Sequence, residues 1–191
     1  MSSTEFSPAE RLLMLRLARD SIAHGLRSGT PQKVAPDEYP APLQAQRACF
    51  VTLTRTGQLR GCIGHLEPIQ SLAEDVAENA YSAAFRDPRF PPLQAPELND
   101  IHIEISVLGE PSAMRFDDEA DLLRQIRPGV DGLILEDRMG HRGTFLPSVW
   151  ESLPDPEQFL AHLKLKAGLP GNYWDEHIRV SRYTTEAFEE G

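Results

Sequence analysis

The stretch that decides the fold is LRGCIG, Leu59–Gly64, which follows a strand-forming segment at residues 48–53 across a short turn. Apolar residues on both sides of a glycine-containing turn predict a β-hairpin, and we place its turn at Arg55–Gly57. A three-residue loop there sets Cys62 opposite Phe50, so that the two cysteines point to opposite faces. A register shifted by one residue pairs the two cysteines directly and leaves a disulfide open.

The same six residues have the composition of a functional site. Cys62 has Gly61 and Gly64 on its two sides and follows Arg60 by two residues, which places the two side chains on one face of a regular strand. Glycine lets a backbone or a ligand approach closely, and a nearby arginine favours a thiolate. We therefore predict a catalytic thiol at Cys62 with substrate contacts at Arg60, Gly61 and Gly64. A purely structural hairpin with a glycine bulge explains the same residues.

A second strand contributes a candidate acid or base. Residues 101–107, IHIEISV, alternate strictly, so that the isoleucines face a core while His102, Glu104 and Ser106 share the other face. A carboxylate near a thiol is able to move a proton, and we predict that Glu104 does so. Three histidines remain candidate bases for the thiol: His65, His102 and His141.

Two loops complete the predicted site. Asp87, Arg89 and Phe90 lie in a proline-rich turn after a predicted helix, and we expect this turn to rim the substrate site, with substrate contacts at Arg89 and Phe90. Arg142 and Thr144 lie in a dense glycine-bordered segment, where an arginine and a hydroxyl are suited to hold an anion. A plain hairpin tip accounts equally well for that segment.

The remaining pattern predicts an α+β fold with a largely antiparallel or mixed sheet flanked by helices and a smaller subdomain. No β-α-β unit repeats along the chain, which excludes a regular parallel sheet. Helices are predicted to begin at Ser7, Ser71 and Asp155 and near Glu119, and further strands at residues 132–135, 144–146 and 178–183.

Composition limits the functions that remain. The 191 residues carry 19 Lys and Arg against 29 Asp and Glu, a net charge of −10, which argues against non-specific binding to nucleic acid. No apolar run is long enough for a membrane span, and the amino terminus lacks a signal-peptide pattern, so we expect a cytoplasmic protein. The spacing of cysteines and histidines indicates no metal site, and the phosphate-loop and dinucleotide motifs are absent, so no cofactor is predicted.

Four segments together resemble the AMMECR-domain family: LRGCIG at residues 59–64, SAAFRDPRFPP at 82–92, EISVL at 104–108 and GTFLPSVW at 143–150. They occur in the family's order and cover nearly the whole chain. The resemblance implies one AMMECR-type domain over residues 1–191. This domain would consist of two unequal subdomains from non-contiguous segments with a cleft between them.

The resemblance also implies a functional element and partners. It makes Leu59–Gly64 the functional element of the family. The stand-alone prokaryotic form, of the AmmeMemoRadiSam system, has a Memo-like protein and a radical S-adenosylmethionine protein as neighbours, which implies these two as partners. RNA modification is one reaction class that the resemblance implies. Radical chemistry would belong to a partner, because this chain lacks a three-cysteine motif.

Two functions are therefore open at this point. One is an enzyme that uses Cys62 in the cleft on a small-molecule or RNA-derived substrate. The other is a non-catalytic module that recognises a partner protein or a small ligand through the same cleft.

Overall fold

Five helices and eight strands make up the chain over residues 5–191, the part that the computed structural model describes. Residues 1–4, the start of the segment that lacks a signal-peptide pattern, lie outside the described residues. The helices are α1 (Pro8–Ser28), α2 (Ala41–Gln44), α3 (Leu72–Phe85), α4 (Glu119–Gln125) and α5 (Pro156–Lys166), and 3₁₀ turns lie at Pro36–Glu38, Ala95–Asn99 and Pro147–Glu151. The strands are β1 (Cys49–Arg55), β2 (Gln58–Gly64), β3 (Ile101–Leu108), β4 (Ser112–Ala113), β5 (Gly132–Glu136), β6 (Arg142–Phe145), β7 (Arg179–Tyr183) and β8 (Thr185–Glu189).

The chain divides into two compact units, each with its own four-stranded sheet. Unit 1 holds the chain up to Leu108 together with Glu186–Gly191, and its strands lie in the order β2-β1-β3-β8. Unit 2 is Gly109–Thr185, with the order β4-β7-β5-β6. The predicted α+β class with antiparallel pairing is confirmed.

Helices α1 and α3 of unit 1 begin as their sequences predict. Ser7 and Ser71 each accept a hydrogen bond from the backbone of a glutamate three residues later, whose side chain bonds back to the serine amide. These capping boxes satisfy amide groups that a helix start leaves free. Both helices pack on the inner face of the sheet, where the alternate residues of β1 and β3 are buried. The core of unit 1 lies between the helices and this sheet face.

The register of the β1–β2 hairpin differs from the predicted one. Its turn holds two residues, Thr56 and Gly57, both with positive φ (51° and 79°), as a two-residue type I′ hairpin loop requires. The turn shifts the register by one residue and a bulge further along β2 shifts it by one more, so that Cys62 lies opposite Thr52 and Gly64 opposite Phe50. With two residues in the turn, Arg55 pairs with Gln58. The predicted three-residue turn left Arg55 unpaired. The two cysteines still lie on opposite faces, and both are free thiols.

A bulge in β2 separates Arg60 from Cys62. The pairing runs from Leu53 with Gly61 directly to Thr54 with Leu59, so Arg60 is the extra residue. Because one residue is inserted, side chains on either side of it no longer alternate as in a regular strand. The prediction that Arg60 and Cys62 share a strand face is therefore wrong.

Gly61 lets β2 lie directly on helix α3. A Cβ atom at this position would overlap the backbone carbonyl oxygen of Ala83, well inside van der Waals contact. The small residues along this helix face, Ala80, Ala83 and Ala84, are all buried and keep the approach short. Gly61 is thus required by packing between a strand and a helix backbone.

Unit 2 has a separate core around its own sheet. Trp150 stacks on Phe159, with ring centroids 3.7 Å apart and an interplanar angle of 6°, and Phe145 meets the same Phe159 ring edge-on at 5.3 Å. The remaining core residues come mainly from α5 and from strands β5 and β7. The predicted hairpin near residues 132–146 is formed by β5 and β6.

We predict that Gly61→Ala destabilises unit 1 by about 2 kcal/mol or more, because the added methyl group must push β2 away from the helix backbone. Urea unfolding followed by far-UV circular dichroism measures the change. Both tryptophans lie in unit 2, so their fluorescence is an internal reference for the other unit.

Gly171→Ala is the matched control for this change. A Cβ there meets its nearest atom, the Ala161 oxygen, at 3.6 Å, an ordinary contact. We expect a change within about 0.5 kcal/mol. Equal effects of the two substitutions would contradict the packing role of Gly61.

Candidate functional site

The predicted thiol and the predicted carboxylate lie in one row on the outer face of the unit 1 sheet. Strand β1 lies between β2 and β3, and its Thr52 pairs with Cys62 on one side and with Glu104 on the other. All three side chains are half-buried. The Cys62 Sγ lies 3.3 Å from the Thr52 Oγ1. The fold therefore brings Cys62 and Glu104 to the same face, about 10 Å apart across two strand spacings.

Asp87 fixes the position of Cys62 from the open edge of the sheet. Because β2 is an edge strand, the Cys62 amide has no neighbouring strand to bond. That N–H instead donates to the Asp87 Oδ2 at 3.0 Å. The Asp87 side chain is buried, and it accepts two further bonds from the Arg89 guanidinium, Nε to Oδ1 at 3.0 Å and Nη2 to Oδ2 at 2.7 Å.

These contacts control the charge state of Asp87. The Arg89 side chain holds the pKa of the Asp87 carboxyl well below its usual range, and the amides of Cys62 and Arg89 add to the effect against the opposing cost of burial. In turn, Asp87 raises the pKa of the Arg89 guanidinium. The pair is thus ionised at neutral pH, with the Arg89 charge close enough to interact with Cys62.

Arg60 serves the structure of the loop. Its Nε and Nη2 donate to the Glu97 carboxylate at 3.0 and 3.2 Å, and Nη2 also donates to the carbonyl of Pro91 at 2.8 Å. The residue is buried, and the ion pair lowers the pKa of Glu97. Arg60 is turned away to these partners by the bulge, so the cation beside the thiol is Arg89 and the expected role of Arg60 toward Cys62 is not supported by this geometry.

Gly64 is also constrained by packing. A Cβ atom at Gly64 would lie 2.6 Å from the Cys49 carbonyl oxygen and would overlap the ring of Phe50. The packing of Gly64 and Gly61 accounts for both glycines of the LRGCIG stretch, and substrate contacts at either one stay predictions.

The second cysteine is excluded as a reactive group. Cys49 is fully buried, and burial, reinforced by the charge of Asp75, raises the pKa of its thiol well above the usual value. A protonated thiol inside the core is a poor nucleophile.

Arg89 and Phe90 lie together beside the row. The Arg89 side chain is 56% exposed, and its Cζ lies 5.5 Å from the centroid of the half-buried Phe90 ring. The Arg60 Cζ lies 6.0 Å from the same centroid. The Phe90 ring is therefore close to both guanidiniums, and the Arg89 Nη2 lies 3.4 Å from the Cys62 carbonyl oxygen. A substrate contact at Arg89 or Phe90 stays a prediction.

Arg142 and Thr144 belong to unit 2. Arg142 is exposed on strand β6. Thr144 is buried, and its hydroxyl donates to the Leu133 carbonyl at 2.9 Å and lies 3.1 Å from the Tyr183 hydroxyl. Burial raises the pKa of Tyr183 to about 12. The Thr144 hydroxyl thus makes its hydrogen bonds inside unit 2, and a ligand contact at Thr144 stays a prediction.

Each of the three candidate imidazoles is paired with a carboxylate. His65 Nδ1 lies 2.6 Å from the buried Asp75, His102 Nε2 lies 3.1 Å from Glu189, and His141 Nδ1 lies 2.8 Å from Asp137. Over residues 5–191 the hydrogen bond of the Cys62 sulfur is the one to Thr52. The structure therefore selects none of the three as the direct base of Cys62.

Sequence reasoning missed Thr52 and the role of Asp87. Thr52 enters the site only through strand register, and its signal is its central position in β1, between the buried residues Val51 and Leu53. Asp87 belongs to the DPRFPP loop, where an aspartate before proline indicates a turn, but its bond to Cys62 spans 25 residues and leaves no local pattern.

The described part of the chain contains neither a candidate metal site nor a membrane-spanning helix. Among residues 5–191 there is no group of three or more His, Cys, Asp or Glu placed to hold a metal ion. No helix in that range has the length and apolar character to cross a membrane.

These features define an α+β protein of two units, with a cysteine-bearing polar sheet face closed at its edge by a proline-rich loop. A family model described as AMMECR1 matches residues 15–188. A protein of Methanothermobacter thermautotrophicus is 41% identical over 196 residues, covering 100% of this chain and 99% of that protein. A Methanocaldococcus jannaschii protein is 39% identical, covering 95% and 90%.

A solved structure has the same fold. The crystal structure of the uncharacterized protein PH0010 from Pyrococcus horikoshii is similar with a TM-score of 0.87 and 36% identity, over 98% of this chain and 94% of that one. The chain therefore belongs to the AMMECR1 family, as the resemblance of its four segments implied.

We predict that Asp87→Asn lowers the free energy of unfolding by about 1–3 kcal/mol at pH 7, because a charged acceptor of three groups is lost. A carboxylate with a lowered pKa stabilises the fold above the ordinary aspartate pKa, and this contribution disappears as the pH falls toward the lower value. The difference between wild type and variant should therefore narrow below about pH 4.

Urea unfolding at pH 3, 5 and 7 measures this difference. Asp100→Asn is the control, because Asp100 is an exposed carboxylate paired with Arg55, and pairs of this kind contribute about 0–1 kcal/mol. A difference between wild type and Asp87→Asn that stays constant from pH 7 to pH 3 would contradict the role of the ionised Asp87.

Proposed function

We propose that the protein is an enzyme in which the Cys62 thiolate attacks a small-molecule substrate on the outer sheet face of unit 1. The observation that carries this proposal is the row Cys62–Thr52–Glu104, which sets a half-buried thiol and a carboxylate about 10 Å apart on one face. The reacting group of a substrate that lies over Thr52 is within reach of both side chains. A hydroxyl at its centre is able to bond the group and to pass a proton.

The proposed first step conserves protons and electrons. The thiol proton of Cys62 passes through the Thr52 hydroxyl, 3.3 Å away, to the Glu104 carboxylate. Directly opposed side chains on paired strands have Cβ atoms about 5 Å apart, within reach of a glutamate side chain. The Sγ–carbon bond then forms as the bond to the leaving group breaks, and Glu104 returns the proton to the leaving group. In the second step water gives a proton to Glu104 and its oxygen bonds to the same carbon as the Sγ–carbon bond breaks, and that proton returns through Thr52 to the Cys62 thiolate.

The wider setting of this reaction follows from the resemblance to the AMMECR-domain family. In the proposal residues 1–191 act as one AMMECR-type domain in the cytoplasm. A Memo-like protein and a radical S-adenosylmethionine protein act beside it. An RNA-derived substrate is a narrower form of the same proposal, and the net charge of −10 favours a small fragment over a long RNA.

A second candidate function, a non-catalytic binding module on the same face, has one observation in its favour. The hydrogen-bond partner of the Cys62 sulfur is the hydroxyl of Thr52, whereas a thiol enzyme commonly has an imidazole there. In this reading Cys62 fills space and ligands are held by Arg89 and Phe90.

We predict that iodoacetamide modifies Cys62 in the folded protein at least 10-fold faster than Cys49, because Cys62 is half-buried and Cys49 is fully buried. Peptide mass spectrometry assigns the label to each cysteine without substitution. Thr52→Val and Glu104→Gln should each slow the labelling of Cys62 about threefold or more, since each interrupts the proton route.

Thr54→Val is the matched control, because Thr54 lies on the same face of the same strand and pairs with His102. Labelling of Cys62 only after unfolding would refute the thiol enzyme. Faster labelling in Glu104→Gln would mean that Glu104 only repels a thiolate, and would refute the proton route.

One further experiment separates the two candidate functions. Small-molecule fractions of a cell extract are screened for protection of Cys62 from iodoacetamide. A protecting compound that is consumed by wild type and not by Cys62→Ala supports the enzyme. A protecting compound that is recovered unchanged from both supports the binding module.

A further inference from the structure

Arg89 is held so that part of its guanidinium remains available beside Cys62. The group carries five N–H donors. One at Nε and one at Nη2 donate to Asp87, and Nη2 also donates to the Cys62 carbonyl oxygen at 3.4 Å. Both N–H groups of Nη1 therefore have no hydrogen bond in the structure of residues 5–191. The Arg89 side chain that carries them is 56% exposed.

The contacts of Arg89 also restrict its motion. The Asp87 carboxylate accepts hydrogen bonds from two guanidinium nitrogens, Nε and Nη2, and from the Arg89 amide at 3.1 Å. Phe90 supports one side of the group. A guanidinium that is already oriented loses little side-chain entropy when it binds a ligand.

The buried Asp87 does not compete for a ligand. Only 4% of the residue is exposed, and its two oxygens accept bonds from Cys62 and Arg89. The exposed part of the pair is therefore the cationic one. Charge-assisted hydrogen bonds from the N–H groups of Nη1 suit a carboxylate or a phosphate group.

We infer that Arg89 is an anion subsite that binds the carboxylate or phosphate group of a small substrate whose reacting atom lies at Cys62. This inference rests on the proposed use of Cys62 as the reactive thiol and adds the chemical class of the substrate. A small anion is favoured over a polyanion because the chain as a whole carries a charge of −10 and this subsite offers one available guanidinium nitrogen, Nη1.

The first test compares two alkylating agents at Cys62, the anionic iodoacetate and the neutral iodoacetamide. The ratio of their rate constants cancels the intrinsic reactivity of the thiol and leaves the attraction of the anion. Loss of one positive charge near the thiol should lower this ratio about threefold in Arg89→Gln at low salt. Arg89→Lys should keep most of the ratio, and 0.5 M salt should reduce the difference between wild type and Arg89→Gln.

Arg86→Gln is the matched control, because Arg86 is exposed three residues earlier and packs over Tyr81, with its Cζ 5.0 Å from the ring centroid. It should leave the ratio unchanged. A ratio in Arg89→Gln equal to that of wild type, or an equal fall in Arg86→Gln, would overturn the subsite.

A second measurement tests the subsite without the thiol. Acetate and inorganic phosphate are titrated into wild type and Arg89→Gln, and the backbone amide signals of Arg89 and Phe90 are followed by NMR. We expect saturable shifts in wild type and none in the variant, and the tighter of the two anions identifies the substrate group. The absence of shifts in wild type would overturn the inference, and tighter binding of a short oligonucleotide would overturn the small-molecule assignment.

The two measurements also separate this inference from the proposed enzyme. If both anion tests succeed while every protecting compound is recovered unchanged, the subsite stands and the catalytic role of Cys62 fails. If Cys62 acts as a nucleophile on a substrate and neither anion test responds to Arg89→Gln, the enzyme stands and the anion subsite fails.

Discussion

The Asp87 carboxylate accepts hydrogen bonds from the Cys62 amide and from the Arg89 side chain, and the arrangement of the candidate site depends on both. An edge strand carries a row of unpaired amide and carbonyl groups. Here the proline-rich loop supplies the partners, with Asp87 for the Cys62 amide and Arg89 for the Cys62 carbonyl. One ion pair therefore closes the sheet edge, fixes the thiol-bearing residue and orients a cation next to it.

The LRGCIG stretch makes this arrangement possible through its backbone. The bulge at Arg60 sends a guanidinium into the protein, where Glu97 and Pro91 bind it and so hold the loop that contains Asp87. Gly61 allows β2 to approach α3, and the row of Cys62, Thr52 and Glu104 then lies on the opposite face. Residues with the composition of a binding site thus divide into those that shape the strand and one, Cys62, that carries a half-buried thiol on the outer sheet face.

The elements were largely predictable because their signals are local. Capping boxes at Ser7 and Ser71 and the alternation of β3 determine where each element begins and which face is buried. The site was less predictable because it depends on register and on contacts between distant residues. The turn and the bulge each shifted the register by one residue, which moved Cys62 from Phe50 to Thr52. The bulge also turned Arg60 away, so that Arg89 is the neighbouring cation. Strand β8 was missed because its alternation is short and polar, TEAFE, and its pairing partner lies far away in sequence.

Hydrogen exchange of the Cys62 amide tests the central role of Asp87 most directly. In wild type this amide belongs to an edge strand, and its acceptor among residues 5–191 is the Asp87 carboxylate, so its protection reports that bond. The account predicts a protected amide in wild type and exchange at least about 10-fold faster in Asp87→Asn, while the amides that join β1 to β3 keep their rates. A Cys62 amide that exchanges equally fast in both proteins would contradict the account.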